Sequence, residues 1–164
     1  METAQVILIL ASPADAPWGE AIVQALERWG LAGEVRIASA HKTPDHLLQM
    51  LARYEADARP RVYITVAGRS NALSGLVDAQ VVAPVIACPP YGEKYAGLDL
   101  LSSLRMPSGV APAVVLEPEG AALLAAKMLA LAVPELREKV RQAQEEGRRR
   151  LLEADAATHP EVVR

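Results

Sequence analysis

The feature that most constrains the fold is an alternation. Short apolar runs rich in Val and Ile recur along the chain, each followed by a longer stretch with helical spacing. The first run, residues 6–10, is continuously apolar, as expected of a strand covered on both faces. Residues 17–29 then read as a helix: Pro17 suits a first turn, and Ile22, Val23, Leu26 and Trp29 share a face. Gly30 and Gly33 end it, and residues 34–38 form the next strand. Pro44 opens a second helix, with Leu47, Leu48 and Leu51 on one side and Tyr54 continuing it. Residues 62–66 are a third strand, followed by a small-residue helix from about 71 to 79. Residues 84–87 and 113–116 read as the fourth and fifth strands. Residues 119–131 form a helix that is apolar almost all round, and residues 134–153 a charged one with Leu136, Val140, Ala143 and Leu151 as its seam.

Strands that alternate with helices and cross over right-handedly build a parallel sheet with helices on both faces. The expectation is an α/β fold: one three-layer, flavodoxin-like, doubly wound domain over residues 1–164, with its core at 5–132 and a C-terminal helix at 134–153. Residues 88–97, CPPYGEKYAG, are the one long loop, with the Pro, Gly and Tyr content of a wall or lid. The apolar helix at 119–131 needs cover on every side, from a partner subunit or from the C-terminal segment, and a homo-oligomer is the expectation preferred. A net charge of −3 argues against nucleic acid or an anionic membrane as partner. The single Cys88 cannot form an internal disulfide, the start lacks a basic leader, and the apolar run at 6–11 is too short for a bilayer. A cytoplasmic location follows as the expectation.

Ligands of open parallel sheets bind beyond the carboxyl ends of the strands. Four polar segments fall there: Ala11-Ser12-Pro13-Ala14-Asp15, Ser39-Ala40-His41-Lys42-Thr43-Pro44, Ala67-Gly68-Arg69-Ser70-Asn71 and Cys88-Pro89-Pro90. Ser12 and Asp15 either cap a helix or, through the carboxylate, bind a vicinal diol. His41 titrates near neutrality and can both give and take a proton in one turnover. Lys42 and the following helix start favour an anion beside it. Gly68, Arg69, Ser70 and Asn71 either cradle a phosphate or carboxylate or form a capped helix start with a solvated Arg. His46 and His159 have no second donor at metal-ligand spacing, and no metal site is expected.

These segments together resemble the aminoimidazole ribonucleotide (AIR) carboxylase and mutase family. The resemblance spans about residues 6–131. It rests on Ser39-Ala40-His41-Lys42-Thr43-Pro44-Asp45, Val66-Ala67-Gly68-Arg69-Ser70-Asn71 and Pro84-Val85-Ile86-Ala87-Cys88-Pro89-Pro90. Ser102-Ser103-Leu104-Arg105-Met106-Pro107-Ser108-Gly109 and Glu117-Pro118-Glu119-Gly120 complete it. Arg69-Ser70-Asn71 stands where the mutase branch carries small residues and a second His, so the chain looks like the direct carboxylase. The resemblance implies that His41 shuttles the ring proton and that Ser12 and Asp15 hold the phosphoribosyl group, with Ser39 and Lys42 near the phosphate. Gly68, Arg69, Ser70 and Asn71 would shape the carboxylate and carbon dioxide pocket, and Ser103, Arg105, Pro107 and Ser108 would lie on the loop near the site. It further implies a flavodoxin-like octamer acting on a small nucleotide and carbon dioxide, without metal or organic cofactor.

One departure stands out. The family's first loop usually reads Gly-Ser-x-Ser-Asp, where this chain has Ala11-Ser12-Pro13-Ala14-Asp15. The glycine and second serine are gone, and Pro13 has no amide to donate. Either the phosphate is held differently or the substrate is a related heterocycle, handled by a carboxylase, decarboxylase or mutase of this fold. A nucleotide-binding paralogue without catalysis is the third alternative.

Overall fold

The computed structural model of the chain describes residues 4–159. The apolar runs form β1 (Gln5–Leu10), β2 (Gly33–Ile37), β3 (Arg61–Val66), β4 (Val85–Ala87) and β5 (Ala113–Val114). All pair in parallel, in the order β2-β1-β3-β4-β5, the doubly wound order of flavodoxin-like sheets. The helices between them are α1 (Ala16–Glu27), α2 (Pro44–Glu55), α3 (Ala72–Asp78), the single turn α4 (Leu101–Leu104), α5 (Pro118–Leu129) and α6 (Pro134–Thr158).

Period-2 side chains sort the central strands into two cores. Val6, Leu8 and Leu10 of β1 join Val62, Ile64 and Val66 of β3 under α1, α5 and α6. Ile7, Ile9 and Tyr63 face the other way, onto Leu47, Met50 and Leu51 of α2 and Leu73 and Val77 of α3. The continuous apolar runs are thus explained by cover on both sides. The expected three layers are present.

Three expectations need correction. Leu48 does not join the buried face of α2; it is exposed, and Met50 takes the place beside Leu47 and Leu51. The fifth strand is shorter than the apolar run 113–116, because only Ala113 and Val114 find partners on the short β4. Ala143 and Leu151 do not continue the seam of the last helix. The globular body ends at Val140, Gly147 interrupts the apolar spacing, and α6 runs on in solvent with Glu138–Arg141, Glu145–Arg148 and Glu146–Arg150 pairs along its side. The apolar helix α5 is covered in large part by its own chain, with Leu124 and Met128 partly buried. Ala121, Ala122, Ala125, Ala126 and Leu129 are buried in the core shared with α1 and with Leu136 and Val140 of α6.

The strand ends are level. Leu10 pairs with Ile37 of β2 on one side and Val66 of β3 on the other, and Cys88 donates its amide to Thr65 O at 2.9 Å. The loops leaving β2, β1 and β3 therefore emerge side by side from one edge of the sheet. The order of connections reverses between β1 and β3, where such sheets open a crevice.

Candidate active site

The chemistry collects on that rim. After β1, Ser12 Oγ accepts the Ala14 amide at 3.2 Å and caps a 3-10 turn over Pro13–Asp15. Asp15 occupies the N-cap of α1, yet its carboxylate makes no capping hydrogen bond. The two residues read together in the sequence thus separate: Ser12 is engaged in the local turn, whereas Asp15 is available. Burial pushes the Asp15 carboxyl above its usual range, and a hydrogen bond from the Ser12 amide only partly offsets this.

After β2 the chain makes a closed turn. The Ser39 amide donates to Thr43 Oγ1 at 2.9 Å, the Lys42 amide to Ser39 Oγ at 3.2 Å, and the Thr43 amide to Ser39 O at 2.9 Å. Ser39 therefore builds the turn, and His41 and Lys42 stand exposed on its crest. Among the described residues nothing hydrogen-bonds the His41 ring, and Lys42 makes no ion pair. Pro44 then starts α2 immediately behind them.

After β3 the loop is held from several sides. A Cβ on Gly68 would lie 3.0 Å from Pro90 O, so the close approach of the loop after β4 favours glycine. Arg69 follows with φ 60°, a left-handed conformation unusual for a residue with a Cβ. Asn71 turns inward and is only 2% exposed. Its Oδ1 accepts the Ser74 amide at 3.1 Å, capping α3, and its Nδ2 donates to Ser103 Oγ at 2.9 Å. Asn71 and Ser103 are thus buried and bonded to each other, while Arg69 and Ser70 are exposed.

The segment after β4 reaches the same place. Ser70, Asn71, Ser102, Arg105 and Pro107 line a cleft of about 390 Å³ between α3 and residues 102–110. Ser108 is exposed on the same segment and does not line the cleft. Sequence reasoning did not single out Ser102, although it lies within one of the motifs that carry the resemblance, and it missed Asp99 altogether; both touch the 68–71 loop. Trp18 was missed as well: its indole donates to Cys88 O at 3.1 Å, and Tyr91 stands edge-on to it at 6.5 Å. Tyr91 also donates to Glu117 Oε1 at 3.2 Å, which ties the wall after β4 to the start of α5. Cys88 beneath is fully buried and its thiol is pushed up to about 11 by burial, so it is no nucleophile at neutral pH.

Two lines of charge distinguish this rim from the rest of the molecule. At the opposite end of the sheet the buried Arg61 lies 3.7 Å from Asp57 and 4.0 Å from Glu55, a paired structural cluster. On the rim, Lys42, Arg69 and Arg105 are exposed and, among the described residues, unpaired. A larger concavity of about 630 Å³ lies between Trp29, Gly33 and Lys139, away from every candidate residue, so chemistry rather than size locates the site. No three His, Cys, Asp or Glu among the described residues converge as metal donors.

Comparison with known proteins agrees with this geometry. The AIR carboxylase family profile matches residues 5–150. Phosphoribosylaminoimidazole carboxylase of Treponema denticola is 48% identical over 92% of this chain and 95% of its own length. The enzyme of the same name from Archaeoglobus fulgidus is 49% identical over 94% of this chain and 84% of its own. The human bifunctional phosphoribosylaminoimidazole carboxylase/succinocarboxamide synthetase is 41% identical over 77% of this chain, which corresponds to 30% of that longer protein. A crystal structure of Treponema denticola PurE superposes with a TM-score of 0.91, at 46% identity, over 95% of this chain and 99% of that one.

Proposed function

The chain belongs to the AIR carboxylase family, and from that premise we propose that it interconverts AIR plus carbon dioxide with carboxyaminoimidazole ribonucleotide, with His41 as general acid and base. This is a lyase reaction of purine biosynthesis, placed in the cytoplasm. The observation that carries the reading is the convergence on one level rim of an uncommitted imidazole, an uncapping carboxylate and unpaired cations.

The ring C–H carbon next to the amino-bearing carbon of AIR is electron-rich, as the β-carbon of an enamine, and attacks carbon dioxide. A carbon–carbon bond forms, and one C=O pair moves onto oxygen as the new carboxylate. The newly carboxylated ring carbon then carries both hydrogen and carboxylate, and His41 takes that proton, restoring the aromatic ring. In reverse His41 returns it and the carboxylate leaves as carbon dioxide. Asp15 accepts hydrogen bonds from the ribose hydroxyls, and Lys42, with Ser39 shaping its turn, faces the phosphate. Gly68, Arg69 and Ser70 border the carbon dioxide pocket, where a guanidinium favours the carboxylate as it forms. The chemistry calls on no metal or organic cofactor, because the amino group supplies the activating electron pair.

We assign the chain to the direct-carboxylase branch on Arg69-Ser70-Asn71, and to a homo-oligomer, an octamer. The helical segment around α4 supports the oligomer: it turns its serines inward and leaves Leu98, Leu101 and Leu104 68%, 50% and 62% exposed, an apolar face suited to a second copy. With labelled bicarbonate and AIR, label should enter the ring carboxylate, and the carbamate substrate of the mutase should be ignored. Efficient carbamate turnover with no label uptake would falsify the branch assignment. A related heterocycle is the second reading, favoured by the altered first loop; failure to turn over AIR in either direction would select it or a non-catalytic nucleotide binder.

A further inference from the structure

The loop that borders the carbon dioxide pocket does not hold itself. Arg69 sits at φ 60°, which an L residue with a side chain disfavours. Its two peptide groups are both gripped by a segment some thirty residues further on: the Arg69 amide donates to Asp99 Oδ2 at 3.4 Å, and Arg69 O accepts from Ser102 Oγ at 3.2 Å. Ser102 Oγ also accepts the Asn71 amide at 3.0 Å and lies 2.8 Å from Asp99 O. Its single proton is thus shared between two carbonyls while its lone pair fixes Asn71. The other oxygen of Asp99, Oδ1, is buried without a hydrogen-bond partner.

We propose that Asp99 and Ser102 are positioning residues, which lock the left-handed backbone at Arg69 and so hold the Arg69 and Ser70 side chains at the carbon dioxide pocket. The inference rests on the carboxylase reading above. The deeper contacts, Asn71 with Ser74 and Ser103, anchor the loop to α3 and would do so without Asp99 or Ser102. What those two add is the conformation of Arg69 itself. The geometry also explains why Ser70 is exposed: its neighbours on either side are pinned by their backbone, and its own side chain is left facing the site.

The test uses the full chain with Ser102→Ala and Asp99→Ala. Loss of one such bond should cut kcat/KM roughly tenfold. The loss should fall on the KM for carbon dioxide, leaving the KM for AIR and the thermal midpoint nearly unchanged. Asp99→Asn, which keeps an oxygen for the Arg69 amide, should recover most of the activity. Adding Ser102→Ala to Arg69→Ala should cost little more than Arg69→Ala alone, because both act through one group. Amide exchange should rise in the 67–72 peptide and stay constant in β3. A wild type inactive on AIR sinks the carboxylase reading and this inference with it. An active wild type whose Ser102→Ala variant keeps its carbon dioxide KM, or its slow exchange at 67–72, sinks the inference alone.

Discussion

Asp15→Ala separates two jobs that a carboxylate at a helix start can do. If Asp15 capped α1, removing it would cost about 1 kcal/mol of stability, which for a chain of this length is roughly 2–4 °C in thermal midpoint. No capping hydrogen bond exists to lose, however, and the carboxylate is held above its usual pKa by burial. The sign of the linkage follows. A carboxyl whose folded pKa is raised binds its proton more tightly in the native state, so it weakens the fold at pH above that raised value. The penalty fades as pH falls toward the ordinary value of 3.8. At pH 7 the variant should therefore be at least as stable as the wild type, and any advantage should shrink in acid. Binding should move the other way. A charge-assisted hydrogen bond to a ribose hydroxyl contributes about 1.5–3 kcal/mol, or roughly 10–100-fold in affinity. Calorimetric titration with carboxyaminoimidazole ribonucleotide, beside thermal melts at pH 7 and pH 5, reads both quantities. A midpoint lowered by several degrees with unchanged affinity would refute the diol assignment.

His41→Asn should lower turnover roughly 10²–10⁴-fold while circular dichroism and oligomer size stay at wild type, since the ring is exposed and makes no hydrogen bond within the described residues. Turnover within a few-fold of wild type would remove His41 from the chemistry. Gly68→Ala should be harmful in both respects, because its Cβ would stand 3.0 Å from the backbone oxygen of Pro90. Overpacking of this kind costs about 1–3 kcal/mol, visible as a lowered melting temperature together with a reduced kcat/KM.

The layers of the fold were legible because burial on both faces writes itself into continuous apolar runs such as residues 6–10, a signal that needs no tertiary context. Less legible was whatever depends on where the body ends. The seam through Ala143 and Leu151 has helical spacing, but no partner surface reaches it once α6 passes Val140. Conversely, part of the cover of α5 comes from α1, far back in the sequence, and only the first turns of α6 follow it directly. In the candidate site, the strand-end loops announced themselves by residue type. Their division of labour did not. Whether Asn71 faces the site or the core is decided by Ser103 and Ser74, and spacing alone says nothing of an amide bonded to a serine thirty-two residues away. Asp99 carried no signal at all: an acid in a loop is ordinary until the Arg69 amide is seen beside it.

The altered first loop finds its physical consequence in the accounting of amides. Pro13 has no N–H, the Ala14 amide is taken by Ser12 Oγ, the Asp15 amide by Ser12 O, and the Ala16 amide by Pro13 O. The loop after β2 spends the amides of Ser39, Lys42 and Thr43 on its own turn, and Pro44 has none. A phosphate cradled by backbone, as in a glycine-rich loop, needs several free amides converging on one point. The first loop retains too few. Exposed and unpaired cations, by contrast, stand on the same rim at Lys42, Arg69 and Arg105. Charge-assisted bonds from such side chains are stronger individually than those from neutral amides, and they do not require glycine at residue 11 or serine at residue 14. The departure from the family's first loop is therefore compatible with the same phosphorylated substrate, provided that its phosphate is gripped by side chains rather than by backbone.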